Sequence, residues 1–421
     1  MRFLILIMCL FWFGATAGRA DRYVATTGTN AGPYNAWTNA STNIQMAINA
    51  ATAGETVWVS NGYYRVTNQV AVTNRITLKG FNGFTNTIVY GSFPAWTTRV
   101  FYVTSTGVLD ALTISNGYWG GSNDYSGGGG VYVIGNGLVK NCYLVNNICS
   151  NKGVATGGGG AYISNGFMNS CIIINNNAVT NPGGGVYLVN AGFVSNSIIA
   201  GNKCDGSFGG GGIYLAGLAR TNAQIDACRI SNNLCMAGPG GGGVLVTNNG
   251  QIRNCLINNN TNLAADGNGG GVYLGNAALY TNVFYGLVNC TIANNYSMNE
   301  GGGVAAVGPS NYIANCIIYT NSSSSNNYPD VYATGASITN FYYSCANAIL
   351  AVNQGNITNN PLFDDSGNLR LQINSPCLNA GTNQNWMTGG FDLDGKPRIR
   401  YGTVDMGALE RVNEAAFYNF H

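Results

Sequence analysis

The sequence predicts an all-β fold, a parallel β-helix in which short strands coil into a solenoid. Between residues 127 and 321 one unit recurs seven times: a glycine block, a hydrophobic triplet often centred on tyrosine, a turn, then asparagine-rich strands. Units of this period bury their apolar faces only by stacking on one another, so one elongated body is expected. The glycine blocks end just before seven positions that are spaced by 25 to 32 residues: Val131, Ala161, Val186, Ile213, Val244, Val272 and Val304.

Residues 1–20 have the pattern of a secretory signal peptide, with a positive start, an apolar run and small residues before the expected cleavage at Asp21 or Gly18. The mature protein is therefore expected to be secreted, extracellular or on the outer cell surface. Removal of the signal leaves 16 basic and 16 acidic residues. A chain without net charge carries no electrostatic footprint for nucleic acid. No later stretch is apolar enough to predict a membrane span.

Residues 21–55 are predicted to form an N-terminal cap with one amphipathic helix. Thr42 and Gln45 resemble a capping box, and Gly54 is expected to end the helix. The helix would plug the open end of the solenoid with one apolar face, formed by Ile44, Ala47, Ile48 and Ala51.

In the predicted β-helix, residues 56–345, six repeats align on a cysteine and the third on Ser197. Apolar residues stand three positions before and two after the aligned position, whereas a continuous strand would keep period two. A tight bend is therefore predicted just before it, where asparagine stands in five of seven repeats. The aligned cysteines are Cys142, Cys171, Cys228, Cys255, Cys290 and Cys316.

Asparagine also stands five residues after every aligned position. Because stacked coils lie about 4.8 Å apart, the side-chain amides are predicted to form a hydrogen-bonded ladder. The ladder residues are Asn147, Asn176, Asn202, Asn233, Asn260, Asn295 and Asn321.

The cysteines of the column, and Cys149, Cys204 and Cys235 in a second register, are predicted to be reduced core residues. Disulfides along the column are the alternative, since the chain is expected to be secreted. Cys345 and Cys377 lie outside the repeats and flank a loop, so they are candidates for one disulfide.

Five tyrosines follow glycine blocks and stand between hydrophobic residues. If those neighbours point inward, alternation points the tyrosines outward, in a row down one sheet. Such a row could stack on sugar rings as a carbohydrate-binding surface. Alternatively it is a self-packed ladder that stiffens the sheet. The residues are Tyr132, Tyr162, Tyr187, Tyr214 and Tyr273.

Few residues suit catalysis. The only histidine is His421, so no catalytic histidine is expected. Lyase chemistry needs a base and a cation or acid near a uronate carboxylate, and the best local group for it is Asp226, Arg229 and Arg253. Asp226 and Arg253 occupy the same position in neighbouring coils, so an exposed ion pair is the favoured interpretation.

Four acidic residues near the C-terminus could supply oxygen ligands for calcium: Asp392, Asp394, Asp405 and Glu410. A turn stabilised by aspartate side chains is the alternative. No other cofactor is predicted.

The glycine-rich and Cys-x-Ile-x-Asn-Asn units resemble right-handed parallel β-helix proteins of the pectate-lyase-like superfold and polymorphic outer-membrane-protein repeats. The C-terminal stretches 360–363, 369–371, 375–377, 392–398 and 404–410 resemble the choice-of-anchor Q segment of secreted bacterial β-helix proteins. These resemblances imply a right-handed solenoid closed by an irregular C-terminal cap at 346–421, in a class that includes lyases and hydrolases.

The sequence therefore predicts a secreted or cell-surface β-helix protein that binds carbohydrate, such as a polysaccharide or surface glycan, or mediates adhesion without catalysis. The alternatives are a polysaccharide lyase or hydrolase acting on an acidic glycan, which rests on the resemblance, and a purely structural coat or spacer protein.

Overall fold

The computed structural model describes residues 20–411 apart from positions 96, 121–126, 151–156, 207, 218–222, 276–284, 309–310, 326–327, 335–339 and 348–353. The predicted signal peptide, except Ala20, and His421 lie outside the described residues.

The described strands coil around one core as four sheets, which we name A to D. From the third coil onward the chain passes through sheets A, B, D and C in turn and then re-enters sheet A. Strands of neighbouring coils pair in parallel, and each residue lies beside its equivalent in the next coil. The predicted parallel β-helix is confirmed.

The strand bounds follow the repeat. Sheet A contains Arg22–Val24, Thr56–Val59, Thr77–Gly80, Val108–Asp110, Leu138–Lys140, Phe167–Asn169, Phe193–Ser195, Ala223–Asp226, Gly250–Arg253, Tyr285–Val288, Asn311–Ala314 and Phe341–Tyr342. Sheet B contains Gly62–Arg65, Thr87–Tyr90, Thr113–Ser115, Tyr143–Val145, Ile172–Ile174, Ile198–Ala200, Arg229–Ser231, Leu256–Asn258, Thr291–Ala293, Ile317–Tyr319 and Cys345–Ala346.

Sheets C and D complete the coils. Sheet C contains Val70–Val72, Phe101–Val103, Val131–Ile134, Ala161–Ser164, Val186–Val189, Ile213–Ala216, Val244–Thr247, Val272–Leu274, Val304–Ala306 and Val331–Ala333. Sheet D has two-residue strands: Tyr118–Trp119, Ile148–Cys149, Asn177–Ala178, Lys203–Cys204, Leu234–Cys235, Thr261–Asn262, Tyr296–Ser297 and Ser322–Ser323.

The bend between sheets A and B lies where the sequence predicts it. Asn141 has a φ of 52° between strands Leu138–Lys140 and Tyr143–Val145, and Ala227 has a φ of 51° in its own coil. Asparagine tolerates this left-handed conformation better than most residues. The cysteines that follow the bend are free, buried thiols along the core.

The asparagine ladder runs through seven coils. Each side-chain amide donates to the amide oxygen of the next coil, from Asn147 to Asn176 at 3.0 Å through to Asn295 to Asn321 at 2.9 Å. The same side-chain NH₂ group also donates to a backbone carbonyl oxygen of the preceding coil, as from Asn147 Nδ2 to Ile114 O at 3.0 Å. The ladder ends on Asp330, whose carboxylate accepts from the Asn321 amide at 2.9 Å.

The glycine blocks allow the coils to stack closely at the entry to sheet C. Gly128 has a φ of 79°. At Gly129 an added Cβ would lie 2.3 Å from the carbonyl oxygen of Ile148. Gly128 itself combines both properties, because a Cβ added there would lie 2.1 Å from the carbonyl oxygen of Val131.

The N-terminal helix Ile44–Ala50 covers the first coils with buried Ile44, Ala47 and Ile48. Its N-cap is Asn43, whose side chain accepts from Met46 N at 3.2 Å, and not the predicted Thr42. Gln45 instead accepts from the backbone N–H of Ala71 at 2.7 Å. The predicted capping box is wrong because Gln45 ties the helix to sheet C. The two described 3₁₀ turns are Trp37–Asn39 and Asn385–Met387.

The C-terminal segment, residues 354–411, lies along the side of the solenoid. It crosses sheets A and B of the last coils, and it buries Leu256, Val288 and Ile317. Thr382 N donates to Asn315 Oδ1 at 2.8 Å, and three coils away Asp394 pairs with Arg229 at 2.7 Å. The segment therefore covers outward-facing apolar residues as well as following the last coil.

Among the described residues, no helix has the length and apolarity that a membrane crossing requires.

Candidate functional site

A cleft of about 510 Å³ lies where the C-terminal segment meets the outer face of sheet A. We call it the sheet A cleft. Sheet A supplies its floor, and the loop that ends in the 3₁₀ turn supplies one wall. Its lining residues are Gln251, Val288, Tyr312, Thr382, Asn383, Gln384, Asn385 and Trp386.

Local order in the cleft comes from hydrogen bonds among its own side chains. Trp386 Nε1 donates to Gln384 Oε1 at 2.8 Å, and Gln384 Nε2 lies 3.5 Å from the Tyr312 hydroxyl. Below them, Val288, Met387 and Val404 form a buried apolar cluster on which both aromatic rings pack. One glutamine therefore orients two partly exposed aromatic rings on a fixed apolar base.

The cleft combines aromatic faces with uncharged hydrogen-bonding groups. Gln251 projects from a strand of sheet A, and Asn383 and Asn385 are exposed on the wall. No carboxylate or cationic side chain is among its described lining residues. Such a surface suits an uncharged polar ligand with an apolar face.

The predicted charged cluster is divided by the fold. Arg253 donates twice to Asp226 Oδ2, at 3.0 and 2.6 Å, and its guanidinium stacks 4.8 Å from the Trp386 ring centre. Arg229 instead pairs with Asp394 at 2.7 Å. The favoured ion pair of Asp226 with Arg253 is present, whereas Arg229 follows the left-handed Ala227 and lies on sheet B. A catalytic role of the three residues stays a prediction.

A second charged group on sheet A was not anticipated from the sequence. Asp110 pairs with Lys79 at 3.3 Å and with Lys140 at 3.5 Å, in the coils before and after it. Asn141 Nδ2 donates to the same carboxylate at 2.8 Å. Lys79, Asp110 and Lys140 occupy the same position in three successive strands of sheet A. Aligning these strands in the sequence could have revealed the group. Both lysines are engaged by one carboxylate.

Four of the predicted tyrosines, Tyr132 to Tyr214, lie in register on sheet C and are preceded by Tyr102. Leu245 separates the fifth, Tyr273, from this row. Ring centres of successive tyrosines lie 4.7 to 5.5 Å apart. Tyr162 and Tyr187 are 8% and 4% exposed. Burial raises the pKa of both phenols above the usual range. The middle rings therefore contact one another more than solvent, and sugar binding by the row stays a prediction.

The four carboxylates of the calcium hypothesis bond to protein groups. Asp392 accepts from Asp394 N at 2.9 Å and Lys396 N at 2.7 Å, which is the predicted aspartate-stabilised turn. Asp405 accepts from Asn379 N and Arg411 N, and Glu410 pairs with Arg398 at 2.8 Å.

No group of three or more metal-binding side chains is found within the described part of the chain. Calcium binding stays a prediction. Burial is the main cause that raises the pKa of Glu410, to about 8.

Cys345 and Cys377 are brought together in the C-terminal segment. Both are fully buried in one apolar cluster with Ile317, Leu371 and Met406, and both are free thiols. Contact with the Cys377 thiol is the main cause that raises the pKa of Cys345. Their disulfide stays a prediction.

Comparisons with known proteins agree with this architecture. A family model described as "Right handed beta helix region" matches residues 100–284. The crystal structure of pectate lyase Pel9A superposes with a TM-score of 0.56 at 16% identity, covering 94% of this chain and 98% of that one. The chain has the pectate-lyase-like right-handed β-helix fold.

Other comparisons add little to this result. The PL6 family alginate lyase AlyGC gives a TM-score of 0.26 at 11% identity, covering 78% of this chain and 54% of that one. A search of curated protein sequences finds no match. The pectate-lyase-like likeness, at 16% identity, concerns the fold alone.

Proposed function

We propose that this protein binds a carbohydrate chain in the sheet A cleft without cleaving it, and that it acts outside the cell. The observation that carries the proposal is the pairing of two partly exposed aromatic rings, Tyr312 and Trp386, with uncharged amides in one cleft. The secretory pattern of residues 1–20 supports an extracellular location.

The chemistry of a sugar matches this lining. The C–H face of a pyranose ring stacks on an aromatic face, while its hydroxyls pair with side-chain amides that both donate and accept. Gln251, Asn383 and Asn385 supply such amides around Trp386. Because Gln384 fixes the rings before binding, little ordering cost remains for the complex.

The pairing of charged side chains on sheet A supports the proposed absence of cleavage. A lyase base must be free to take a proton from the substrate. Arg253 makes two hydrogen bonds to Asp226, and Lys79 and Lys140 pair with Asp110. These three cations of sheet A are therefore paired with carboxylates.

A polysaccharide lyase acting on an acidic glycan is the second candidate. One observation favours it: the buried Asp226 Oδ1 has no hydrogen-bond partner in the described structure, and Arg253 stands beside the cleft. In such a lyase the Arg253 guanidinium would neutralise the uronate carboxylate, and the unpaired oxygen of Asp226 would accept the proton taken from the sugar ring. Formation of new chain ends that Arg253→Ala abolishes would establish this candidate and reject the first.

Titration calorimetry with oligosaccharides tests the proposed site. We expect Trp386→Ala to weaken binding at least about tenfold, since loss of one stacked ring removes about 1.5 kcal/mol or more. Gln251→Ala, which leaves the aromatic rings in place, should weaken binding about threefold. Trp37→Ala removes an exposed ring far from the cleft and is the matched control. Equal affinity in all four proteins would reject the site.

A further inference from the structure

A second concave site lies in the C-terminal segment and is rich in cations. This basic pocket has a volume of about 400 Å³ and shares no residue with the sheet A cleft. Its lining residues are Asp364, Arg370, Leu371, Lys396, Leu409, Glu410 and Arg411.

The two acidic residues that line the basic pocket, Asp364 and Glu410, accept hydrogen bonds from other protein groups. Glu410 is buried, with Oε1 bonded to Arg398 at 2.8 Å and Oε2 accepting from Asp405 N at 3.1 Å. Asp364 accepts from the backbone and the hydroxyl of Ser366. Neither carboxylate pairs with a cation that lines the pocket.

The cations of the pocket keep unused donors. Lys396 and Arg411 form no ion pair within the described residues, and Lys396 makes no described side-chain hydrogen bond. Arg411 donates Nη1 to the carbonyl oxygen of Leu371, and its buried Nε has no partner in the described structure. Arg370 donates to one carboxylate oxygen of Asp394 and also lines the pocket.

Hydrogen bonds from the buried Arg398 fix the backbone that carries the pocket residues. Arg398, fully buried, donates to Glu410, to the carbonyl oxygen of Gly407 at 2.9 Å and to that of Ala408 at 3.0 Å. It also donates to Asn254, the bend residue that follows strand Gly250–Arg253. The walls that carry Lys396 and Arg411 are therefore fixed to one another and to the solenoid before any ligand arrives.

We infer that the basic pocket binds an oxyanion, namely a carboxylate or sulfate group carried on a sugar. Guanidinium and ammonium groups with unused donors on one concave wall match the several acceptor oxygens of such a group. Unlike the sheet A cleft, this site selects for charge. That the anion is carried on a sugar rests on the proposed function, whereas the pocket itself shares no residue with the cleft.

Titration calorimetry of the whole mature protein at low ionic strength tests the inference, with digalacturonate, inorganic sulfate and inorganic phosphate as separate probes. We expect saturable binding that Lys396→Gln weakens at least about fivefold and that Lys396→Arg restores. Lys203→Gln removes the same charge on sheet D and should not alter affinity. Trp386→Ala should leave the binding of the two inorganic ions unchanged, which separates failure of the basic pocket from failure of the cleft.

The probes distinguish the source of the anion. Tighter binding of digalacturonate than of the two inorganic ions supports a sugar-borne group. Preference for an inorganic ion over digalacturonate, no saturable binding of any probe, or equal affinity in the wild type and Lys396→Gln would each overturn the inference.

Discussion

At the scale of single residues, the asparagine ladder decides where each coil turns. Asn233 Oδ1 accepts from both the backbone and the side-chain amide of Asn202, and its own amide donates to Ile199 O and Asn260 Oδ1. All of these groups are buried, so each needs its partner in the protein.

Removal of one ladder residue should therefore be costly. Asn233→Ala leaves several buried donors and acceptors unpaired, and we expect it to lower the free energy of unfolding by about 3 kcal/mol. Chemical denaturation measures this loss. Asn258→Ala, on the outer face of sheet B, is the control and should change stability by less than about 0.5 kcal/mol. Similar losses in the two variants would contradict the role of the ladder.

The carboxylate that ends the ladder predicts a pH dependence. Burial raises the pKa of Asp330, although its hydrogen bonds from Asn321 oppose the shift. The folded state holds this proton more tightly than the unfolded state, so its contribution to stability falls as pH rises through the folded pKa. Asp330→Asn should stabilise the protein at pH 7 by on the order of 1 kcal/mol.

Below the ordinary carboxyl pKa the gain from Asp330→Asn should disappear, because wild-type Asp330 is then protonated in both states. Thermal unfolding of both proteins between pH 3 and pH 8 measures the difference. A gain that does not change with pH would show that the buried charge is not its cause.

At the scale of elements, the tyrosine row illustrates what alternation can and cannot predict. Period two correctly places these side chains on the outer face of sheet C, but it does not say what covers them. Tyr187 is buried because the glycine block folds over it, with Gly157 leaving room for its ring. That contact depends on the path of the turn and not on strand periodicity.

A double substitution separates stiffening from sugar binding. We expect Tyr187→Ala with Tyr214→Ala to lower stability by about 3 kcal/mol or more, since two packed rings are lost, and to leave glycan retention unchanged. Denaturation and a glycan pull-down on the same protein measure both quantities. Tyr63→Ala, at a highly exposed tyrosine, is the control. Loss of retention without loss of stability would favour the carbohydrate-binding alternative.

The C-terminal segment offers a second test at this scale. We expect Cys345 and Cys377 to form a disulfide in protein recovered from an oxidising medium, the two thiols passing two electrons and two protons to an oxidant such as oxidised glutathione. The bond would stabilise the fold by about 3 kcal/mol. Peptide mapping without reduction detects it. Complete alkylation of both cysteines under denaturing, non-reducing conditions would contradict the prediction.

At the scale of the whole molecule, the repeat predicts the solenoid because each coil contacts mainly its neighbours. The ladder, the bends and the core cysteines are therefore readable from local periods. Trp386 was not identified, because an irregular loop brings it to Gln251, 135 residues earlier, and no period encodes that contact. The sequence pattern groups Asp226 with Arg229, but the left-handed Ala227 places them on different sheets, A and B.

The central claim is that the protein binds carbohydrate in the sheet A cleft and does not cleave it. The most direct measurement incubates the mature protein with acidic and neutral polysaccharides, with and without calcium, and follows both retention and new chain ends. The account predicts retention on at least one neutral polysaccharide, lost in Trp386→Ala, with no new chain ends from any polysaccharide. Sustained formation of chain ends, or retention on neutral polysaccharides that Trp386→Ala leaves intact, would contradict it.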